Sequence, residues 1–462
     1  MLRRLLYIAL DFPPLNSSGT YRNAKFVKYL GRFGWQPVVV TLDWHQAQTD
    51  DPLDETLLKE IPTDIPIIRY PPYHPLIALP RWLARKRPEP LLPAEARLRA
   101  EVSSDERPRS RFYTAARSVY HAALAPVGDM FFYWSLRALP RCIEVAVQHR
   151  VEAIYVSVSP WTLGILGVLL QGALRVPLIV DFRDYWTMWA VKQTRPFRDW
   201  LDASVERWVL RHADRIICVH QAMADDFQRL EPRCRGKCRV ITNGYDEDDF
   251  RHVQRHTSPL DNHNEPRAHH RVVQLTHTGI AWGDAAQPLL DALSQLRRQS
   301  ARLNLQVNFI GGLPPSKWQF IHEHQLDGFV HVEKRISHHD AIQQMLAADV
   351  LLLLLVGNEG GRKWYPGKLF EYLYAGRPVL AVAPEGIASE LLRQAGVGLV
   401  VEPQDIDRLV SVLADIATDV DHFRHTYYRP DQRFIEQFNR VRLTHALACV
   451  LEEVTGGKQR YG

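Results

Sequence analysis

The chain has 462 residues, 46% hydrophobic and 24% charged, with a formal net charge of +5 at neutral pH. That length suits two domains of about 100–200 residues each, and no uncharged apolar run is long enough to span a bilayer, so a soluble globular protein is expected. Five scattered cysteines imply no disulfide framework and suit a reducing, cytoplasmic setting, and no nucleic-acid motif accompanies the positive charge.

At the start, Arg3 and Arg4 precede an apolar run that superficially imitates a secretion signal. The run stops at Asp11, too early for one, and a strand buried on both faces explains it better. Strand-like runs then follow at residues 5–10, 38–42, 153–157, 178–181 and 215–219, alternating with helical patterns. This is the βαβ signature of a parallel sheet. Between the first two runs Ala24, Phe26, Val27, Leu30 and Phe33 recur at helical spacing, and Gly34 ends the pattern as a helix stop.

Residues 72–150 fit the alternation least. They are rich in Pro and Arg, carry long helical stretches near Phe131 and Val147, and read as an insertion or lid in the first domain. Within residues 81–117, arginines interleave with Trp82, Leu83, Phe112 and Tyr113. Such a stretch suits either peripheral contact with an anionic membrane surface, an anionic acceptor, or a solvated face. Cys234 and Cys238 have metal-like spacing, but no finger-like partner pair follows, so ordinary thiols are expected.

Residues 251–271 are His, Asp, Asn, Pro and Arg with little to bury, and read as a linker or exposed loop. A second alternating set begins after it, at residues 272–275, 305–310, 330–332, 350–355, 379–382 and 398–400. The expected organisation is therefore an N-terminal Rossmann-like domain at 1–255, a C-terminal one at 271–430, and terminal helices at 431–462. No repeat of solenoid period is present.

In open parallel sheets ligands bind beyond the carboxyl ends of the strands, so the turns there are the candidate sites. After the first strand comes Asp11-Phe12-Pro13-Pro14-Leu15-Asn16-Ser17-Ser18-Gly19-Thr20-Tyr21-Arg22, which runs into a helix start that attracts anions. Asn16, Gly19 and Arg22 are candidate binding residues there, with an ordinary N-cap as the competing reading. Asp181-Phe182-Arg183-Asp184-Tyr185-Trp186 joins carboxylates, a guanidinium and aromatic faces, which suits a sugar or acceptor; an internal ion pair of Arg183 is the alternative. In the second domain, Thr276-His277-Thr278-Gly279-Ile280-Ala281-Trp282-Gly283-Asp284 lacks both the Gly-Lys-Ser/Thr step of a Walker loop and the third glycine of a dinucleotide fingerprint. Hydride transfer and phosphate-bond hydrolysis both lose ground.

The strongest constellation follows the apolar run at residues 350–356. Gly357-Asn358-Glu359-Gly360-Gly361-Arg362-Lys363-Trp364-Tyr365 leads into Pro366-Gly367-Lys368-Leu369-Phe370-Glu371. Gly360, Gly361, Gly367 and the helix start can offer amides to a diphosphate and Lys368 a point charge. Glu371 shares the helical face of Lys368, and a carboxylate there suits a ribose diol.

The run Pro366-Gly367-Lys368-Leu369-Phe370-Glu371-Tyr372-Leu373 resembles the donor-binding element of retaining glycosyltransferases of the GT-B architecture, close to glycosyltransferase family 4. The segments beginning at Asp11, Asp181, Ile241 and Thr276 fall in the order that family shows, so the likeness spans nearly the whole chain. The resemblance implies two Rossmann-like domains facing across a cleft, with the C-terminal helix crossing back to the first. It also implies a nucleoside diphosphate sugar held mostly by the second domain, an acceptor held mostly by the first, and retention of configuration with neither metal nor cofactor. Glu371 would then hold the ribose, Lys368 the diphosphate, Asp184 the acceptor, and Gly19 and Gly279 would be close-approach glycines. Arg183, Trp186 and Trp282 complete the expected binding set.

The sequence also departs from that family. Lys363 stands where the first of two paired glutamates is common, leaving Glu359 as the nearest acid. Ile280 and Asp284 occupy a stretch that often carries Arg and Lys, which shifts diphosphate charge onto Lys368, Arg362 or Lys363. Ser157-Val158-Ser159-Pro160 replaces a histidine near the reacting sugar. The expected activity is sugar transfer to a hydroxyl of a lipid-linked or polysaccharide-precursor acceptor, at the cytoplasmic side of a membrane. A nucleotide-sugar epimerase or hydrolase, and a non-catalytic sugar-nucleotide-binding subunit, are the rival expectations.

Overall fold

The computed structural model describes residues 2–47, 53–74, 127–188, 196–256, 272–299 and 304–456. The basic and aromatic stretch at 81–117, and residues 257–271 of the expected linker, lie outside them. The chain divides into two compact units, Met1–Thr242 with Arg440–Gly462, and Asn243–Asn439.

Unit 1 is built on seven parallel strands: β1 (Arg3–Ile8), β2 (Trp35–Leu42), β3 (Ile67–Tyr70), β4 (Ala153–Val158), β5 (Leu178–Phe182), β6 (Arg215–Cys218) and β7 (Cys238–Val240). Their order across the sheet is β3-β2-β1-β4-β5-β6-β7, which places the point where the strand order reverses between β1 and β4. The connecting helices include α1 (Ser18–Leu30), α2 (Phe132–Gln148), α3 (Thr162–Leu174), α4 (Pro196–His212) and α5 (Gln221–Leu230). Leu6 and Ile8 of β1 enter one core while Leu5 and Tyr7 enter the other. Covering both faces is what makes β1 a continuous apolar run rather than an alternating one.

Local signals set the ends of α1. The Ser17 hydroxyl accepts from the Thr20 amide at 3.3 Å, and Gly34, at φ +84°, supplies the left-handed turn into β2. The helix Arg440–Gly456 returns to this unit: Leu443, Leu447, Leu451 and Val454 share a core with Phe26 and Val27 of α1. That return is the crossing-back expected from the sequence.

Unit 2 repeats the plan with six parallel strands: β8 (Val273–Thr278), β9 (Leu305–Ile310), β10 (Val330–Glu333), β11 (Val350–Leu354), β12 (Val379–Val382) and β13 (Gly398–Val401). The order is β10-β9-β8-β11-β12-β13, so the reversal falls between β8 and β11. Its helices are α6 (Glu247–His256), α7 (Gln287–Gln299), α8 (Pro315–Glu323), α9 (His338–Ala347), α10 (Glu359–Arg362), α11 (Gly367–Tyr374), α12 (Ile387–Ala395), α13 (Ile406–Thr418), α14 (Val420–Tyr427) and α15 (Gln432–Glu436). Leu352 and Leu354 face one core, Leu351, Leu353 and Leu355 the other.

Two sequence expectations differ from the structure. Residues 251–256 belong to α6 rather than a linker, because Glu247, Asp248 and Asp249 occupy its first turn and Phe250 and Val253 are buried in the unit 2 core. The edge strands β3 and β7 have no counterpart among the expected runs; they are short, partly buried and interrupted by Arg69 and Arg239. No helix among the described residues is long and apolar enough to cross a membrane.

Candidate functional site

Two clusters lie at carboxyl ends of central strands, one in each unit. In unit 1, Asp11 follows β1, Ser159 follows β4, and Arg183 and Asp184 follow β5. The Arg183 guanidinium donates to Asp11 Oδ2 at 2.6 Å and to the Ser159 carbonyl. Gly19, in the first turn of α1, faces this pair: a Cβ there would overlap the Arg183 guanidinium and the Asp11 carboxylate. Gly19 therefore lies close against protein groups, and packing alone already asks for a residue without a side chain there. Burial pushes the Asp184 carboxyl above its ordinary range, Arg183 pulls it down, and Asp11 adds to the rise.

The aromatic wall comes from two loops. The indoles of Trp161 and Trp186 lie nearly parallel, 9° apart with centroids separated by 6.4 Å. Their Nε1 atoms and Arg183 Nε are buried, with no hydrogen-bond partner among the described residues. Buried donors are rarely left so. Trp161 was not among the candidates drawn from the sequence, although Ser157-Val158-Ser159-Pro160 leads directly into it.

Arg22 and Asn16 are differently placed. Arg22 is fully buried and grips Asp181 through Nε (2.8 Å) and Nη2 (3.0 Å), while donating also to the carbonyls of Ile241 (2.9 Å) and Thr242 (2.6 Å). Tyr155 donates its hydroxyl to the same carboxylate. This is internal bracing of α1, β4, β5 and the segment Ile241–Thr242, and it replaces the anion-binding expectation for Arg22. Asn16 is buried and accepts from the Tyr21 hydroxyl at 2.8 Å.

In unit 2 the end of β8 meets the start of α11. His277 is fully buried; its Nδ1 lies 2.9 Å from the Leu352 carbonyl of β11, and its Nε2 lies 2.8 Å from Lys368 Nζ. Burial, followed by the adjoining ammonium, holds the imidazole well below its ordinary pKa, so it is neutral. Burial also lowers Lys368 to about 7, against a smaller upward pull from Glu371. Gly279, at φ +81°, lies against Lys368: a Cβ at this position would stand 3.2 Å from the Lys368 Nζ.

Glu371 stands one turn beyond Lys368 on α11 and is held by His338, from the start of α9, at 2.8 Å between Oε1 and Nε2. The Tyr372 hydroxyl accepts from the Thr278 amide at 2.9 Å and ties α11 to β8. Lys368, the α11 N-terminus and Glu371 therefore present a cation, peptide dipoles and a carboxylate together at the strand-order reversal, which suits an anion joined to a diol.

The preceding loop does less than its glycines imply. Asn358 caps α10 by accepting from the Gly361 amide at 3.1 Å, and a Cβ at Gly361 would strike the Val356 carbonyl, so Gly361 serves packing. Gly360 is half-buried and Lys363 exposed. The Glu359 side chain is 73% exposed and pairs with Arg362 at 3.4 Å. Gly367 opens α11, and Trp282 is half-buried. His277 and His338 are the residues sequence reasoning did not assign.

Residues 20–244 match the family description "Glycosyl transferase 4-like domain", and residues 273–419 match "Glycosyl transferases group 1". The chain belongs to the family 4-like glycosyltransferases of GT-B architecture. No curated protein matches the sequence. Among solved structures, this glycosyltransferase is similar to sucrose-phosphate synthase from Thermosynechococcus elongatus, with 16% identity, a TM-score of 0.63, and 98% of this chain and 100% of that chain covered. The Anabaena HepE protein, solved in complex with UDP, has 15% identity and a TM-score of 0.59 over 98% and 100% of the two chains. WaaG, a glycosyltransferase involved in lipopolysaccharide biosynthesis, has 15% identity and a TM-score of 0.58 over 99% and 100%. At these identities the likeness establishes the shared fold.

Proposed function

We propose that this glycosyltransferase moves a sugar from a nucleoside diphosphate sugar to a hydroxyl of a lipid-linked or polysaccharide-precursor acceptor, with retention of configuration and without a metal. The observation that carries the reading is the placing on one face of α11 of a half-buried Lys368 and Glu371. Lys368 and the helix N-terminus neutralise the diphosphate as it leaves, and Glu371, steadied by His338, accepts from the ribose hydroxyls. Charge neutralisation of the leaving group in a preorganised site is the main lever open to a transferase of this kind.

The acceptor falls to unit 1. Asp11, Arg183 and Asp184 supply hydrogen bonds to hydroxyls, and the Trp161 and Trp186 faces offer sugar C–H surfaces a place to stack. The exposure of Glu359 argues against a fixed role at the donor sugar. Lys363 is exposed as well.

Replacing Lys368 by Ala is expected to lower turnover by about 100-fold or more, the scale of losing one preorganised charge-stabilising group, with the fold intact by circular dichroism. Unaltered transfer in that variant sinks the assignment. The anomeric configuration of the product, read by proton NMR, tests retention. Donor consumption without any acceptor requirement would instead point to an epimerase or hydrolase, and nucleotide binding without turnover to a binding subunit.

A further inference from the structure

Lys368 is a half-buried cation without a paired counter-ion. Among the described residues its ammonium makes one hydrogen bond, to His277 Nε2 at 2.8 Å, and no carboxylate lies at ion-pair distance. The imidazole is held on its other side by the Leu352 carbonyl at 2.9 Å and by the Phe309 ring, 5.9 Å away between centroids. With Nδ1 donating to that carbonyl, Nε2 carries the lone pair. The shared proton therefore belongs to the lysine, and its other two N–H bonds are not spent on the protein.

We infer that His277 sets both the aim and the charge of Lys368, so that the site takes up its anionic ligand together with a proton from solvent. This inference rests on the reading of unit 2 as a nucleoside diphosphate site, and it makes His277 a positioning residue rather than a catalytic one.

The groups around Lys368 support that behaviour. β8 brings His277, which burial keeps neutral. α11 brings Glu371, whose carboxylate is engaged by His338 of α9, and Tyr372, whose hydroxyl is engaged by the Thr278 amide. β11 contributes the Leu352 carbonyl to His277 and no charge. A partly desolvated amine facing a neutral acceptor loses its proton more readily than one facing a carboxylate, in keeping with the fall of Lys368 to about 7. An arriving diphosphate favours the ammonium. Above neutral pH the amine must therefore gain a proton on binding, and affinity falls by up to about tenfold per pH unit until the bound-state pKa is passed.

The test pairs a measurement on the free protein with one on binding. In the free protein, the Lys368 side-chain carbon resonance, assigned by its loss in Lys368→Arg, is expected to titrate near neutral pH and to move upward on adding UDP. Calorimetry with UDP at pH 8, in buffers of different ionisation enthalpy, is expected to show uptake of most of one proton. Lys368→Arg, always charged, is expected to bind with no uptake and little pH dependence. His277→Gln keeps an acceptor for the lysine and a donor for Leu352 and should preserve the profile. His277→Leu removes the acceptor; it should weaken UDP by about tenfold at pH 6.5 and shift the lysine titration to lower pH. A Lys368 that titrates in the ordinary lysine range, or a His277→Leu profile that matches the parent, overturns the inference. If UDP, GDP and ADP all fail to bind, the nucleotide reading falls, and the free-protein titration still decides whether His277 sets the lysine's charge.

Discussion

Arg22 and Asp181 lie 159 positions apart in the chain and form a bidentate pair with no solvent exposure of either side chain. Removing one partner leaves the other as an uncompensated buried charge, so Arg22→Met is expected to cost about 3–5 kcal/mol, read from denaturant unfolding of the unit 1 transition. Removing both charges together should cost less than Arg22→Met alone, because no orphaned ion remains. A loss under about 1 kcal/mol in the single variant would mean that the carbonyls and Tyr155 do not depend on this guanidinium. Nothing local in Ser-Ser-Gly-Thr-Tyr-Arg distinguishes such a brace from an anion ligand, since the deciding partner is 159 positions away in the chain. The same limit applies in unit 2. Lys368 and Glu371 were legible because one helical turn and one preceding strand place them; His277 and His338 were not, because they reach α11 across 91 and 33 positions.

At the scale of elements, composition alone marks the central strands, which are buried on both faces, and the edge strands β10 and β13 were legible too although only partly buried. β3 and β7 are four and three residues long with Arg69 and Arg239 inside them, so no unbroken apolar run marks them. The polar linker reading failed at α6 for a related reason: two apolar residues one turn apart, Phe250 and Val253, suffice to seat a helix whose other face is charged. The C-terminal helix Arg440–Gly456 makes the corresponding demand on unit 1. Leu447 is fully buried in the core it shares with α1, and Leu447→Ala is expected to destabilise unit 1 by about 2–5 kcal/mol. A change below about 0.5 kcal/mol would show that the helix is held by its rim, through Glu453 with Arg215 and Arg239, and not by its apolar face.

For the molecule as a whole, the two units have separate cores, and their boundaries follow the packing rather than the change in composition. Tyr245, Phe250, Val253, Ile435 and Phe438 all lie in the core that backs α11, so unit 2 extends from Asn243 to Asn439. A fragment of residues 243–439 is therefore expected to unfold cooperatively, whereas one of residues 271–430 lacks these five buried apolar side chains and should show a broad transition with exposed apolar surface. Binding sharpens the contrast. A ligand that binds only the folded fragment stabilises it by about 2.7 kcal/mol at 100 times its dissociation constant. With UDP as the probe, the longer fragment should show that upward shift in its thermal midpoint, and the Lys368→Ala version of the same fragment should show little or none. In the full chain the shift should appear in the transition that the fragment reproduces, leaving the other transition in place. A ligand shift confined instead to the transition weakened by Arg22→Met would assign nucleotide binding to unit 1 and reverse the division of labour between the two units.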